Sequence, residues 1–252
     1  MKKIFYIFFL LLGSTLFSEA ATRGDVNIIE ASENIRYLSQ KIVKDYLFFY
    51  KHPDKITVKN ELKKTLDKLN NDFRIVATAT KDTDTKDILE FLAYSKDQIE
   101  QIFEEKPDKE KAALMLDYSE TLLEGADSIA SAHKYDFSRE EEMLMINKKM
   151  EYLFERVTKY YMALHVGFAN ATNKEQMKKA MLGIEEGLLE ISLYDYPKEM
   201  KSIQKNLDTS WRANRVFFSK SENLFIPKLM FISVDHLENM TMKLALYHSK
   251  NQ

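Results

Sequence analysis

Three polar side chains in the first third of the chain have the types and spacing of a small anion site. Ser39 and Gln40 lie three and four residues after Arg36, so all three share one face of a helix. Arg36 together with Gln40 could hold a planar oxyanion, because a guanidinium offers forked N–H donors. The same spacing also suits an arginine that is ion-paired or solvated beside a helical core. Both interpretations stay open on spacing alone.

No other set of residues has the spacing of a catalytic or metal site. None of the five histidines follows a Glu by three residues, so the Glu-x-x-His signature of di-iron bundles is absent. The chain has no Cys, which excludes thiol catalysis and Cys-based metal sites. The methionines of the second half mostly align with Leu or Ile of the first half, which indicates core filling rather than copper binding. We therefore expect no enzyme activity, no catalytic residue, no metal and no cofactor.

Composition favours a helical globular protein. The 252 residues are 45% hydrophobic and 30% charged, and only 6 Gly and 4 Pro interrupt them. The formal net charge of −2 gives no basic field that would attract nucleic acid. We expect no nucleic-acid partner.

Apolar residues recur at helical spacing throughout the chain. Ile35, Leu38, Ile42 and Phe49 mark one face of a first helix. This pattern predicts that Leu38 is buried on the seam of a helical bundle and that Ser39 lies beside the seam. Three further apolar stripes follow before residue 133, so the first half of the chain predicts four helices.

The second half repeats the first at an offset of 115 residues. Residues 37–47 align with residues 152–162, with Tyr, Leu, Lys and Tyr unchanged. The polar match of Lys44 with Lys159 carries more weight than the apolar matches, because any two amphipathic helices share heptad spacing. Matches continue through all four helices without a net gap, which indicates a duplicated unit.

The repeat predicts an all-α fold of two tandem antiparallel four-helix bundles. The first bundle is expected to span residues 21–135 and the second residues 136–252. Ser138 and Glu141 have the spacing of a capping box, which predicts that a new helix begins there. Since the connection at 133–138 is short, we expect the two bundles to lie end to end.

The first twenty residues have the pattern of a secretory signal peptide. Lys2 and Lys3 precede an unbroken apolar run at 4–12, and a small-x-small pattern ends at Ala20. We expect cleavage after Ala20 and a periplasmic location. An uncleaved N-terminal anchor is the alternative, although the apolar run is short for a membrane span.

Residues 29–41 resemble the opening motif of PilJ-type sensor domains, the extracytoplasmic domains of type IV pilus chemotaxis transducers and relatives of nitrate/nitrite sensors. The family pattern reads roughly I-N-x-A-G-R-Q-R-M-L-S-Q-R. Arg36, the run 38–40 and basic Lys41 fit this pattern, whereas Glu33 replaces its Gly.

This resemblance implies a four-helix bundle with a binding or signalling function. Arg36 matches the arginine that binds the anion at a dimer interface in the nitrate-sensing branch, so the resemblance implies that role for it. The helix spacing adds Ser39 and Gln40 as candidate neighbouring ligands. The position 115 residues later is Glu151, of opposite charge. Family members usually sit between membrane spans, so a freestanding version implies a membrane receptor or envelope protein as partner.

Two hypotheses of function follow. In the first, the chain is an exported sensor-like protein that binds a small anion, such as nitrate or nitrite, or another small solute, and signals through a membrane partner. In the second, it is a non-catalytic structural module that docks on an envelope, type IV pilus or chemosensory component. A homodimer is compatible with either hypothesis.

Overall fold

The protein is all-α over the part of the chain described by the computed structural model, which comprises residues 23–133, 135–221 and 224–252. Eight helices account for these residues: α1 (Arg23–Lys51), α2 (Ile56–Ala79), α3 (Thr83–Glu104), α4 (Lys109–Ala132), α5 (Arg139–His165), α6 (Ala171–Leu193), α7 (Lys198–Ser219) and α8 (Pro227–Lys250). The predicted fold class is confirmed at this level. The predicted signal peptide, residues 1–20, lies outside the described residues.

Short polar side chains begin four of the helices. The side chains of Asp82, Asp108 and Asn170 each accept a hydrogen bond from a backbone N–H of the first turn that follows. Ser138 and Glu141 form the predicted capping box at the start of α5. These caps satisfy backbone donors that have no partner inside the helix, so they fix where each helix begins.

Helices α1 and α5 are the central elements. Helix α1 packs against α2, α4 and α5, while α5 packs against α1, α6 and α8. Helix α3 is attached mainly through α4, and α7 mainly through α8. The α2–α3 pair and the α6–α7 pair make few contacts, so the four helices of each half do not close into a complete ring.

The expectation of two bundles lying end to end is wrong. Arg36 of α1 contacts Tyr152 of α5, and Lys44, eight residues later, contacts Glu155, so the two helices run side by side in the same direction. One continuous apolar core extends from Ile28 to Leu244. The physical reason is that both central helices bury more than one face, as residues 152–164 of α5 show, and each therefore needs cover from the other half.

None of the described helices combines the length and the apolar character that a membrane span requires.

Candidate functional site

Arg36, the leading candidate from the sequence, is held by two carboxylates. Its Nη1 lies 2.6 Å from Oε1 of Glu33, and its Nε lies 2.8 Å from Oδ1 of Asp127 on α4. The guanidinium also stacks 4.4 Å from the ring centre of Tyr152. The side chain is 14% exposed. This is the ion-paired arrangement, and an anion would have to displace two carboxylates to reach the guanidinium.

Ser39 and Gln40 do not converge with Arg36 on one cavity. Ser39 is fully buried rather than beside the seam, and its hydroxyl donates to the backbone carbonyl of Arg36 at 2.8 Å. Gln40 makes its contacts with other residues of α4 and α5 than Arg36 does. Its Nε2 donates to the Ser119 carbonyl at 3.3 Å, and its Oε1 accepts from Arg156 at 3.4 Å. These two side chains fasten helices together.

A buried charge network joins α1, α5 and α8. Lys44 Nζ lies 2.8 Å from Oε2 of Glu155, and both side chains are almost wholly buried. Lys41 Nζ lies 3.5 Å from the other oxygen of Glu155. Burial alone would raise the pKa of Glu155, but Lys44 and Lys41 hold it below its ordinary value. Burial and the nearby Glu155 raise the pKa of Glu238 well above its ordinary value. Its protonated form is therefore favoured beside the charged Glu155.

A second network joins α4, α5 and α6. Arg156 donates to both oxygens of Glu120, at 3.0 and 2.7 Å, and also donates to Gln176 at 2.9 Å. Lys159, which is fully buried, donates to Glu120 and to Ser119. Burial alone would raise the pKa of Glu120, but the two cations lower it to about 2. At Lys159, burial outweighs the opposing effect of the Glu120 carboxylate, so the pKa of Lys159 is lowered to about 8.

The two networks correspond at the 115-residue offset. Lys41 and Lys44 have Arg156 and Lys159 as their counterparts, and Glu155 has Gln40. The 3.5 Å contact of Lys41 with Glu155 thus has a counterpart in the 3.4 Å contact of Arg156 with Gln40.

The same offset relates two histidine–carboxylate pairs. His133 Nδ1 lies 2.8 Å from Asp25, and His248 Nδ1 lies 2.6 Å from Glu140. Burial lowers the pKa of His248 although Glu140 opposes the effect. Each histidine fastens the last helix of a half to the start of its first helix.

A groove opens along one side of the α1–α5 seam. It consists of a cavity of about 460 Å³ that reaches α8 and a cavity of about 520 Å³ that reaches α2. Asn34 of α1 and Glu151 of α5 line both cavities. A smaller space of about 190 Å³ lies farther along the same seam, beside Lys41 and Lys44. We call the two larger cavities together the seam groove.

The seam groove has one polar centre and one apolar wall. Asp72 of α2 is 94% buried from solvent and accepts a hydrogen bond from Nδ2 of Asn34 at 3.2 Å. No hydrogen bond or ion pair engages Glu151 among the described residues, and burial raises its pKa to about 7 against the effect of Lys148. Met242 and Leu246 of α8 form the apolar wall and are more than half exposed. This combination is typical of a site for a small organic molecule.

No group of three or more His, Asp or Glu side chains that could hold a metal ion lies together in the described ranges. His133 and His248 each engage a single carboxylate.

Sequence reasoning missed Glu120, Glu155 and Glu238, and it treated Glu151 only as the lost counterpart of Arg36. The signal that pointed nearest to them was the recurrence of Lys44 as Lys159 on otherwise apolar helices, because a charge conserved between repeats on a buried face needs a partner.

Comparison of the chain with protein-family models, with curated proteins and with solved structures finds no match.

Proposed function

We propose that this chain is an exported, sensor-like protein that binds a small solute in the seam groove and reports to a membrane partner. The export signal at residues 1–20 and the resemblance to PilJ-type sensor domains support the periplasmic location and the sensor class. The anion expected at Arg36 is not part of this proposal, because Glu33 and Asp127 already engage that guanidinium.

We infer further that the fold arose by duplication of a four-helix unit of about 115 residues. The helix contacts of the first half recur in the second: α1 with α2 and α4 corresponds to α5 with α6 and α8. The paired histidines and the two charge networks support the same relation. On this proposal α1 and α5 meet as the first helices of two subunits would meet in a dimer, so a single chain carries its own dimer-like interface.

One observation carries the proposed binding function. Glu151 is a half-buried carboxyl with no hydrogen bond from the described residues, and it lines both cavities, of about 460 and 520 Å³. A carboxyl in a cleft whose pKa is raised to about 7 is a candidate functional group. The space beside Lys41 and Lys44 is only about 190 Å³, and those lysines already engage Glu155, so the larger groove is the better candidate.

A thermal-shift screen against a library of small metabolites tests this function on the chain lacking residues 1–20. A solute that binds the native state raises the melting temperature by linkage. Asn34→Trp fills the groove from its shared wall, whereas Asn60→Trp places the same ring on an exposed position of α2. We expect hits that Asn34→Trp abolishes and Asn60→Trp retains. A library without hits, or hits that survive Asn34→Trp, would overturn the proposal.

The docking hypothesis is the second candidate. Leu182, Leu189 and Leu193 of α6 are 48, 61 and 74% exposed and follow one helix stripe, which is unusual for a helix facing only solvent. A photo-crosslinking residue at position 189 should then capture one defined envelope protein in native cells, and the same residue at position 60 should not. Equal capture from both positions would count against docking.

A further inference from the structure

The chemistry of the seam groove indicates which class of solute it binds. We propose that the groove takes an aliphatic primary ammonium ion, with its charged end at the centre formed by Asn34, Asp72 and Glu151. The alkyl chain then lies along Met242 and Leu246. This inference rests on the proposed function and specifies the ligand of that same site.

Three helices supply acceptors to this centre. Asp72 of α2 and Glu151 of α5 contribute carboxyl groups, and both line the cavity of about 520 Å³. Asn34 of α1 donates to Asp72 through its Nδ2, which orients the amide and leaves its Oδ1 with no hydrogen bond among the described residues. A primary ammonium has three N–H donors and no acceptor, so its donors match these three groups.

Glu151 is the group that needs a cationic ligand. The charge of its helix neighbour Lys148 lowers its pKa, but burial outweighs this effect. Burial raises the pKa of Asp72 as well, although Asn34 and the nearby lysines oppose this effect. The centre therefore contains one buried and one half-buried carboxyl, and an ammonium ion between them would stabilise their ionised forms.

The wall of the neighbouring cavity defines the rest of the ligand. Leu144, Met242, Ala245 and Leu246 line the cavity of about 460 Å³ and present mostly apolar surface. A short alkyl chain extending from the centre would cover this surface and gain from leaving water. Methionine at such a wall adapts to chains of different shape.

Three of the four helices that line the groove place charged side chains beside Glu151. They are Lys148 on α5, Lys243 on α8, and Asp67, Lys68 and Asp72 on α2, while α1 contributes the neutral Tyr37. Asp67, Lys68 and Lys243 are exposed, so solvent screens them, whereas Asp72 is buried. The lysines lie beside the apolar wall, which makes the groove tolerant of a carboxylate at the far end of the ligand.

Three six-carbon probes separate the chemical requirements. Hexylamine carries only the ammonium group, hexanoate carries only a carboxylate, and 6-aminohexanoate carries both. Calorimetric titration of the chain lacking residues 1–20 should show binding of hexylamine and 6-aminohexanoate and none of hexanoate. Binding of hexanoate as tight as that of hexylamine would overturn the ammonium assignment.

Glu151→Gln tests the carboxyl directly, because it removes the charge and keeps the shape. We expect hexylamine to bind at least about tenfold more weakly to this variant, since a charge-assisted hydrogen bond is lost. Glu90→Gln on the exposed face of α3 is the matched control and should bind as the parent does. Thermal unfolding of each variant checks that the fold is retained. Unchanged affinity in Glu151→Gln would refute the assignment.

Proton release on binding is a measurement that would not change if Glu151 had a purely structural role. Glu151, with a pKa of about 7, is half protonated at pH 7, so binding an ammonium ion should release about half a proton there. Hexylamine should also bind about tenfold more tightly at pH 8 than at pH 6, as the ionised fraction of Glu151 rises. Titrations in buffers of different ionisation enthalpy measure the release, which Glu151→Gln should abolish.

The possible results distinguish the ammonium assignment from the proposed binding function of the seam groove. Library solutes that bind in an Asn34-dependent way while hexylamine does not would leave the groove a binding site and refute the ammonium class. If neither library solutes nor amines bind, both proposals fail.

Discussion

Replacing Lys44 with Met tests the role of the buried charge network most directly. The ammonium group of Lys44 is nearly inaccessible to solvent and contacts both oxygens of Glu155, at 2.9 and 2.8 Å. Burial alone would lower the pKa of Lys44, but Asp45 and Glu155 raise it above its ordinary value, so the side chain is charged at neutral pH. Lys44→Met keeps an unbranched side chain, one atom shorter, and removes the charge. Glu155 is then left buried with Lys41 as its remaining cation, at 3.5 Å.

The size of the effect follows from the cost of an unpaired buried charge. Removing one partner of a buried ion pair typically costs about 3–5 kcal/mol. Because Lys41 remains nearby, we expect the lower end of this range, about 3 kcal/mol. That is a large share of the roughly 5–15 kcal/mol by which domains are stable. With a urea m-value of about 3 kcal/mol/M, the unfolding midpoint should fall by about 1 M.

Lys159→Met is the matched control, because Lys159 occupies the equivalent position in the second half. After this change Glu120 keeps its two hydrogen bonds from Arg156. Its side chain is 28% exposed, so water can partly replace the lost contact with the lysine. Burial of the charged Lys159 is unfavourable and lowers its pKa to about 8. Replacement by Met removes this unfavourable burial. We expect a loss of at most about 1 kcal/mol.

Urea denaturation followed by circular dichroism measures both variants and the double variant Lys44→Met/Glu155→Gln. The double variant should recover at least half of the loss, because the unpaired carboxylate is gone. Equal midpoints for Lys44→Met and Lys159→Met would refute the claim that the two networks differ in burial and compensation. A double variant no more stable than Lys44→Met would show that packing, and not charge, sets the loss.

Three further predictions concern other parts of the fold. Gly125→Ala should lower the free energy of unfolding by about 1–3 kcal/mol, measured by urea titration, although Ala has the better helix propensity. The added Cβ would lie 2.4 Å from Cδ2 of fully buried Leu92. A stabilised variant would show that this contact relaxes freely. Ser39→Asp should lower the melting temperature about as much as Leu38→Asp, since both positions are buried. A far smaller drop for Ser39→Asp would restore the sequence-based prediction that this residue lies beside the seam. Glu238→Gln should gain stability over the parent as pH rises above 4.5, the ordinary pKa of this carboxyl. The native state holds the proton above that pKa, so the parent loses stability as pH rises. Parallel pH profiles from urea midpoints would contradict the raised pKa of the buried carboxyl.

The helices and most of their burial pattern could be predicted from the sequence. The spacing of Ile35, Leu38 and Ile42 identified a buried face of α1, and all three are at most 4% exposed. The capping box of Ser138 and Glu141 located the start of α5. These features depend on residues close together in the chain, where helix geometry alone fixes which side chains share a face.

The polar site could not be predicted in the same way. The sequence indicated that Arg36, Ser39 and Gln40 share a helix, but it could not show that Asp127 lies opposite Arg36. The apolar spacing placed Ser39 beside the seam, whereas the structure buries it, with its hydroxyl satisfied by the Arg36 carbonyl. Polar residues are buried or exposed according to partners that the local pattern does not contain.

The sequence by itself thus determined that the chain is helical and where its helices carry their apolar stripes, because those properties follow from local periodicity. Only the tertiary structure decided that α1 and α5 run side by side, since a short connector at 133–138 permits either a continued or a reversed direction. That choice brings Lys44 to Glu155 across 111 residues of chain and places Glu151 beside Asn34 in the seam groove. Pairings between distant residues arise from packing whole helix faces against one another, and no short-range pattern specifies them.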